Sequence, residues 1–311
     1  MTNLHHLPQL SVVNIDGADA ATILHNITTN AVKTLGDGEG CETFITDVRG
    51  KTLGHGYLYR TGDRFQYIGA ANQSQVIVDH MDKYTIREDA VPTIADGQFE
   101  SLVVSPDQVA QLGITTPKGE LPSCWKQPFG GAELMMFRVA FLGTGSVLVL
   151  VESDRWDAVR GSLLKKDIAL AEQADFHRAR VLAGFPWYGV DLDEKNLPQE
   201  VDRDDTAVSF TKGCYLGQET VARLDALGQV QRKLVKWSID GAVPTAGSTL
   251  ESEGKAVGRL TSVASPLAAG PTKAIALGYA RRSHFDAGAN AQGIDSRTGQ
   301  VFTGTVLGLD A

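Results

Sequence analysis

Hydrophobic positions along this chain follow two periods, and the period changes mark its elements. Leu10 to Ile15 alternates as a strand, Asp16-Gly17-Ala18-Asp19 reads as a turn that can cap a helix, and Ala20, Ile23, Leu24 and Ile27 then recur at helical spacing. Cys41 to Arg60 reads as a hairpin turning at Arg49-Gly50-Lys51. Phe65 to Ala70 predicts a strand, and Gln73 to Tyr84 an amphipathic helix with Val76, Ile77, His80 and Tyr84 in register. Val91 to Ala95 and Glu100 to Ser105 predict further strands. Residues 106–132, with Pro106, Pro117, Pro122, Pro128, Gly130 and Gly131, predict a loop-rich passage. Leu134 to Phe141 and Ser146 to Glu152 read as strands around Gly143-Thr144-Gly145. Ser153 to Lys166 predicts a helix with Trp156, Val159, Leu163 and Leu164 on one face. From Gln231 the texture changes to short strands, Leu234 to Asp240, Ser248 to Glu251, Ala256 to Ala264, Ala274 to Arg281 and Val301 to Leu307, spaced by Gly, Pro and Ser. That is the pattern of a small β-barrel. The mixed elements before it predict an α+β arrangement in which helices cover antiparallel sheets.

Composition narrows the function classes. With 311 residues, 42% hydrophobic and 21% charged, the chain has material for two or three domains with real cores. A formal charge of -8 argues against bulk electrostatic attraction to nucleic acid, so no direct nucleic-acid partner is expected. Cys41, Cys124 and Cys214 are scattered without a Cys-x-x-Cys pair, so neither a disulfide framework nor a metal or iron–sulfur site is written locally, and no metal ligand is assigned. A reducing cytoplasm fits best. Met1 to Ser11 lacks a basic region followed by an apolar run, and the strongest apolar run, Val147 to Val151, is too short to span a bilayer; neither export signal nor membrane segment is expected.

The densest chemistry lies at Phe210 to Leu224, where Lys212-Gly213-Cys214-Tyr215-Leu216-Gly217-Gln218-Glu219 leads into a helical pattern with Gly228 as its stop. Two glycines allow a thiol and an aromatic ring to approach a ligand. Lys212 and the helix start both favour a thiolate at Cys214, whereas a buried, inert cysteine in a Gly-rich turn is the competing reading. Gly143 and Gly145 are not a dinucleotide fingerprint, because strand text follows and the third glycine is absent.

The string from Lys212 to Glu219, followed by Val221-Ala222-Arg223, resembles the signature of the YgfZ-type folate-binding proteins, relatives of the glycine-cleavage T-protein (aminomethyltransferase). Ile15 to Asp19 with Leu24-His25-Asn26-Ile27-Thr28-Thr29-Asn30 is similar to the opening of the T-protein family. Arg138, Phe141 and Gly143 match its Arg-x-x-Tyr-x-Gly hairpin, Leu197-Pro198-Gln199-Glu200 matches the YgfZ-type text, and Val257 to Ser262 with Ile275 to Tyr279 resembles its C-terminal barrel. The chain departs at two places. Gly54 and His55 stand where the T-protein carries two aspartates, one of which assists the aminomethyl chemistry, and Leu182 stands where a glutamate bonds the pterin. An active aminomethyltransferase is therefore disfavoured. His55 is either a substitute acid or base or a packed residue.

The resemblance implies a three-domain α+β architecture around a central folate pocket. A discontinuous folate-binding unit takes residues 1–46 and 134–230, a second α+β unit, ferredoxin-like as the first is, takes residues 47–133, and a β-barrel takes residues 231–311. It implies a tetrahydrofolate-binding factor that supports iron–sulfur cluster assembly or repair and, through cluster enzymes, tRNA modification, with iron–sulfur enzymes or assembly proteins as partners. The alternatives are a folate-dependent one-carbon transferase or demethylase and a folate-sensing module without chemistry. Cys214 is the reactive or cluster-contacting thiol. Lys212 and Arg223 are assigned to the anionic tail of folate, and Tyr215 to the same ligand. Phe176, Trp187 and Tyr188 are either a stacking set for its flat rings or aromatic core. Asn30 is either a pterin-side contact or a helix-ending residue, and Glu200 is the substitute acid for the pterin amide.

Overall fold

A computed structural model describes residues 2–7, 9–119, 122–227, 230–266 and 273–308; the expected helix stop at Gly228 lies outside these. The fold is α+β with a closed C-terminal barrel. Five strands pair antiparallel in the order Gly40–Thr46, Thr52–Thr61, Arg64–Ala70, Leu10–Asp16 and Val91–Ile94. Helices Ala20–Ile27 and Ser74–Tyr84 lie on this sheet, their Ile23, Leu24, Ile27, Ile77 and Met81 packed against Val13, Ile15 and Phe65 as the helical spacing requires.

A second sheet has six strands in the order Ile168–Ala171, Thr2–Leu7, Phe99–Val104, Ser146–Glu152, Ala132–Val139 and Cys124–Phe129. Thr2–Leu7 joins it parallel to Ile168–Ala171, so this layer takes one strand from the beginning of the chain and five from its middle. Helix Trp156–Leu164 covers it, preceded by a 3-10 turn over Ser153–Arg155. Part of the expected loop over residues 106–132 is ordered structure: Pro106–Val109 is a helical turn, and Cys124–Phe129 is an edge strand. Its Pro128 is tolerated because one side of an edge strand has no ladder to supply.

The facing sides of the two sheets share one core, with Leu10, Val12, Tyr57, Tyr59 and Ile68 meeting Val103, Phe137, Val139, Leu148 and Leu150. Strand pairing also crosses the expected division at 46/47, because Gly40–Thr46 and Thr52–Thr61 form one hairpin. The barrel closes through Arg232–Gly241, Ala274–Arg281, Lys255–Ala264, Thr249–Ser252, Asn290–Ile294 and Val301–Val306. Trp237 fills its interior, and small residues opposite make the room. A Cβ on Gly304 would stand 2.5 Å from Leu250 and 3.0 Å from the Trp237 ring.

Candidate functional site

The Lys212–Glu219 string folds as an extended turn into helix Gln218–Leu227, and its sequence explains how it is held. Lys212 Nζ donates to the carbonyls of His25 (2.6 Å), Thr28 (2.6 Å) and Asn30 (2.8 Å). These are acceptors at and just past the end of helix Ala20–Ile27, where carbonyls lack intrahelical partners. The same ammonium lies 4.8 Å from the centroid of the Tyr215 ring. Leu216 N donates to the Asn26 carbonyl at 2.8 Å, and Thr46 Oγ1 donates to the Leu216 carbonyl at 2.7 Å. Gly217 has φ +78°, and a Cβ there would stand 2.4 Å from Gly50 Cα. Only glycine meets both demands.

This geometry corrects the role expected of Lys212. Its side chain is a buried strut, with its donors spent on three carbonyls instead of being presented to an anionic tail. Burial pulls its pKa down to about 7, with Lys33 acting in the same direction. The ammonium expected to favour a thiolate at Cys214 is engaged in the same way. Cys214 itself is exposed, whereas Cys41 and Cys124 are buried. Burial pushes the Cys41 thiol up to about 12 and raises that of Cys124. Tyr215 is buried, and Arg223 is exposed on the following helix.

The other expected contacts fall into three places. Asn30 lies beside Lys212, but its amide donates to the carbonyls of Glu42 and Thr206, both at 2.9 Å, and so closes the protein on itself. Phe176 and Trp187 belong to a buried ring cluster with Phe141, at centroid separations of 5.0 to 6.4 Å. Their faces are taken by the core. Tyr188 is half-buried at its edge, and its hydroxyl pKa is raised to about 12 by burial and by Glu194 and Asp193. Glu200 stands apart against the barrel, where Arg232 Nε and Nη2 reach its oxygens at 3.1 and 3.0 Å and Asn196 Nδ2 donates at 3.0 Å. It is a structural carboxylate there, not a free acceptor for a pterin amide.

Between these places sits a charged cluster that periodicity did not single out. Glu42, buried in the strand Gly40–Thr46, accepts from His55 Nε2 and from Arg203 Nε, each at 2.8 Å, and from Arg203 Nη2. Thr206 Oγ1 at 3.2 Å and the Tyr57 hydroxyl at 3.4 Å complete its shell. Burial works to raise the Glu42 pKa, but Arg203 and His55 prevail and hold it well below the usual carboxylate range. The His55 ring stacks between Phe44 (4.6 Å) and Phe185 (5.7 Å), and the Arg203 guanidinium stands 5.3 Å from the centroid of Phe185. An acid thus does stand beside His55, supplied by the neighbouring strand. Glu42 was visible as the one charged residue in Gly40–Thr46; its partner Arg203, 161 positions away, carried no local signal.

Among the described residues, no group of three or more His, Cys, Asp or Glu is placed to hold a metal ion, and no helix is long and apolar enough to cross a membrane. No family model matches the chain. The tRNA-modifying protein YgfZ of Escherichia coli is 26% identical over 251 residues, covering 79% of this chain and 74% of that protein. A chloroplastic protein of Arabidopsis thaliana described as a transferase is 24% identical over 269 residues, covering 80% of this chain; the chain spans only 59% of that relative. The crystal structure of the glycine cleavage system aminomethyltransferase T from Bartonella henselae superposes with a TM-score of 0.83 over 99% of this chain and 85% of that one, at 17% identity. In sequence this chain is similar to YgfZ-type proteins, and in fold to the glycine-cleavage T-protein.

Proposed function

We propose that this chain binds a reduced folate and serves as a factor for iron–sulfur cluster enzymes, among them enzymes that modify tRNA. The observation that carries the reading is the Lys212–Glu219 string, folded as an anchored loop that presents an exposed Cys214. In this reading the pterin sits at the Glu42 cluster, and the chemistry of a carboxylate supports it. Phe44, His55 and Phe185 are stacked on one another behind Glu42 and hold it in place, and a pterin needs a carboxylate acceptor for its amide and amine donors. Leu182 cannot supply one. It packs with the cluster that contains Phe44, two residues along the strand from Glu42, and this nearness supports Glu42 as the acceptor in place of Glu200. Arg203, with a side-chain exposure of 20%, is the least buried of the charged trio Glu42, His55 and Arg203, and is the group a pterin edge displaces. When bound, tetrahydrofolate supplies nitrogens able to carry a one-carbon unit; the protein residues hold and orient it.

The same cluster argues against aminomethyl transfer. Glu42 is kept ionised and its acceptors are taken by His55, Arg203, Thr206 and Tyr57, so no free acid or base stands where the T-protein aspartates are matched. Calorimetry with tetrahydrofolate should show binding that weakens in Glu42→Gln. No heat and no thermal shift at millimolar ligand would refute the folate reading. Turnover of an aminomethyl lipoyl carrier at a rate comparable to a T-protein would move the assignment to one-carbon transfer.

A further inference from the structure

The cleft between the barrel and the segment over residues 189–203 plays no part in the reading above. It opens on both sides of Arg232 and Arg259. A hollow of about 790 Å³ extends to Arg281 and Arg282, and one of about 570 Å³ extends to Asp193 and Lys195. The strand register explains the concentration of charge in the larger hollow. Arg232 lies directly opposite Arg281, and Arg259 directly opposite Tyr279. Like charges facing each other across paired strands repel; Glu200 offsets Arg232, while the Arg281 charge opposite it is left facing the hollow.

Among the described residues, Glu200 is the one carboxylate lining the larger hollow, and it is paired with Arg232. Arg259, Arg281 and Arg282 are exposed and, among the described residues, have no carboxylate partner. Tyr279 adds a second and independent sign. Its ring lies under the Arg232 guanidinium at 4.9 Å, the residue lines both hollows, and its hydroxyl oxygen is shielded from solvent with no hydrogen-bond partner among the described residues. A buried hydroxyl left unpaired is costly unless a ligand completes it.

We propose that this cleft binds a small polyanion, a molecule with two or more carboxylate or phosphate groups held by Arg259, Arg281 and Arg282, with the Tyr279 hydroxyl as a further donor. Guanidinium groups suit both oxyanions because their planar N–H pairs match two oxygens at once. The site stands apart from the Glu42 cluster; its glutamyl source rests on the folate reading, whereas its phosphate source does not, so binding of pyrophosphate would survive a failure of that reading. The two sources of such a ligand are a free phosphorylated metabolite and the glutamyl chain of a folate.

Titration calorimetry of the full chain with inorganic pyrophosphate and with tri-γ-glutamate tests the site and separates the sources. At least one probe should bind, more weakly as salt rises, and the tighter one identifies the source. The double variant Arg259→Ala/Arg281→Ala should bind about tenfold or more weakly, and Tyr279→Phe should also weaken binding. The arginines are exposed, so the double variant should fold, with a thermal midpoint no lower than that of the unsubstituted protein. If neither probe binds, or if all three proteins bind with equal affinity, the site is overturned.

Discussion

Lys212 and Arg203 are both cations drawn below the surface, and they are held in opposite ways. Lys212 is caught by three neutral carbonyls at a helix end, and burial brings its pKa to about 7. Arg203 is caught by a carboxylate. Although burial opposes its charge, Glu42 raises its pKa, while Arg203 in turn keeps Glu42 ionised. Dipoles can therefore fix where a cation sits while leaving its charge conditional on pH. An ion pair commits both partners, and removing either one strands the other.

The largest expected effect follows from that last point. Glu42→Ala leaves Arg203 and His55 without their acceptor and should cost about 3–5 kcal/mol in urea unfolding. The double variant Glu42→Ala/Arg203→Met should recover part of this, and additive losses would show that the two are not coupled. The Glu42 pKa lies below its value of about 4.3 in the unfolded chain, so its stabilisation is fully present above that pH and is lost as pH falls below it. An acid titration of stability should be flatter in Glu42→Gln.

Lys212→Met comes next. It removes the shared donor from three carbonyls and should cost about 1–3 kcal/mol, accompanied by faster proteolysis within residues 210–217. The pH response distinguishes it from the ion pair. Unfolded lysine titrates near 10.4 and folded Lys212 near 7, so between these values the unfolded chain binds more protons and stability rises with pH. The stability difference between the parent protein and Lys212→Met, measured at pH 7 and pH 9, should shift in favour of the parent. No shift would mean that the carbonyls hold the proton as firmly as Glu42 holds Arg203.

The smallest stability effect is predicted at the exposed Cys214: Cys214→Ser should change unfolding free energy by less than about 0.5 kcal/mol. Its effect should appear instead in cells, as lost support of cluster-dependent enzymes. Full support by Cys214→Ser would favour a folate-sensing module without thiol chemistry.

Periodicity made the barrel and the helices Ala20–Ile27 and Ser74–Tyr84 legible, because each has one buried face and a fixed repeat. It did not reveal Thr2–Leu7, whose His5 and His6 break the apolar pattern and whose place is set by distant Ile168–Ala171 and Phe99–Val104. The Lys212 string was legible as a unit, but the direction of its ammonium was not. That depends on carbonyls at the end of a helix nearly two hundred positions earlier, with Lys212 and His25 187 residues apart. Aromatic residues behave alike in sequence whether they line a slot or fill a core, and the close ring packing of Phe141, Phe176 and Trp187 decided for the core.

The contact of Gly217 with Gly50 bears on when during folding the thiol acquires its setting. The loop rests on backbone from the Asp47–Lys51 turn, and the neighbouring bond from Thr46 to Leu216 spans 170 residues. A closure of that length forms only after much local structure exists to offset its entropy. A nascent chain emerging from the ribosome has the turn long before it has the loop, and a chain whose first hairpin is unformed offers the loop no seat. Display of Cys214 in its native surroundings thus reports that both distant parts have been made and joined, so a partner that recognises this surface would engage finished molecules and pass over incomplete ones.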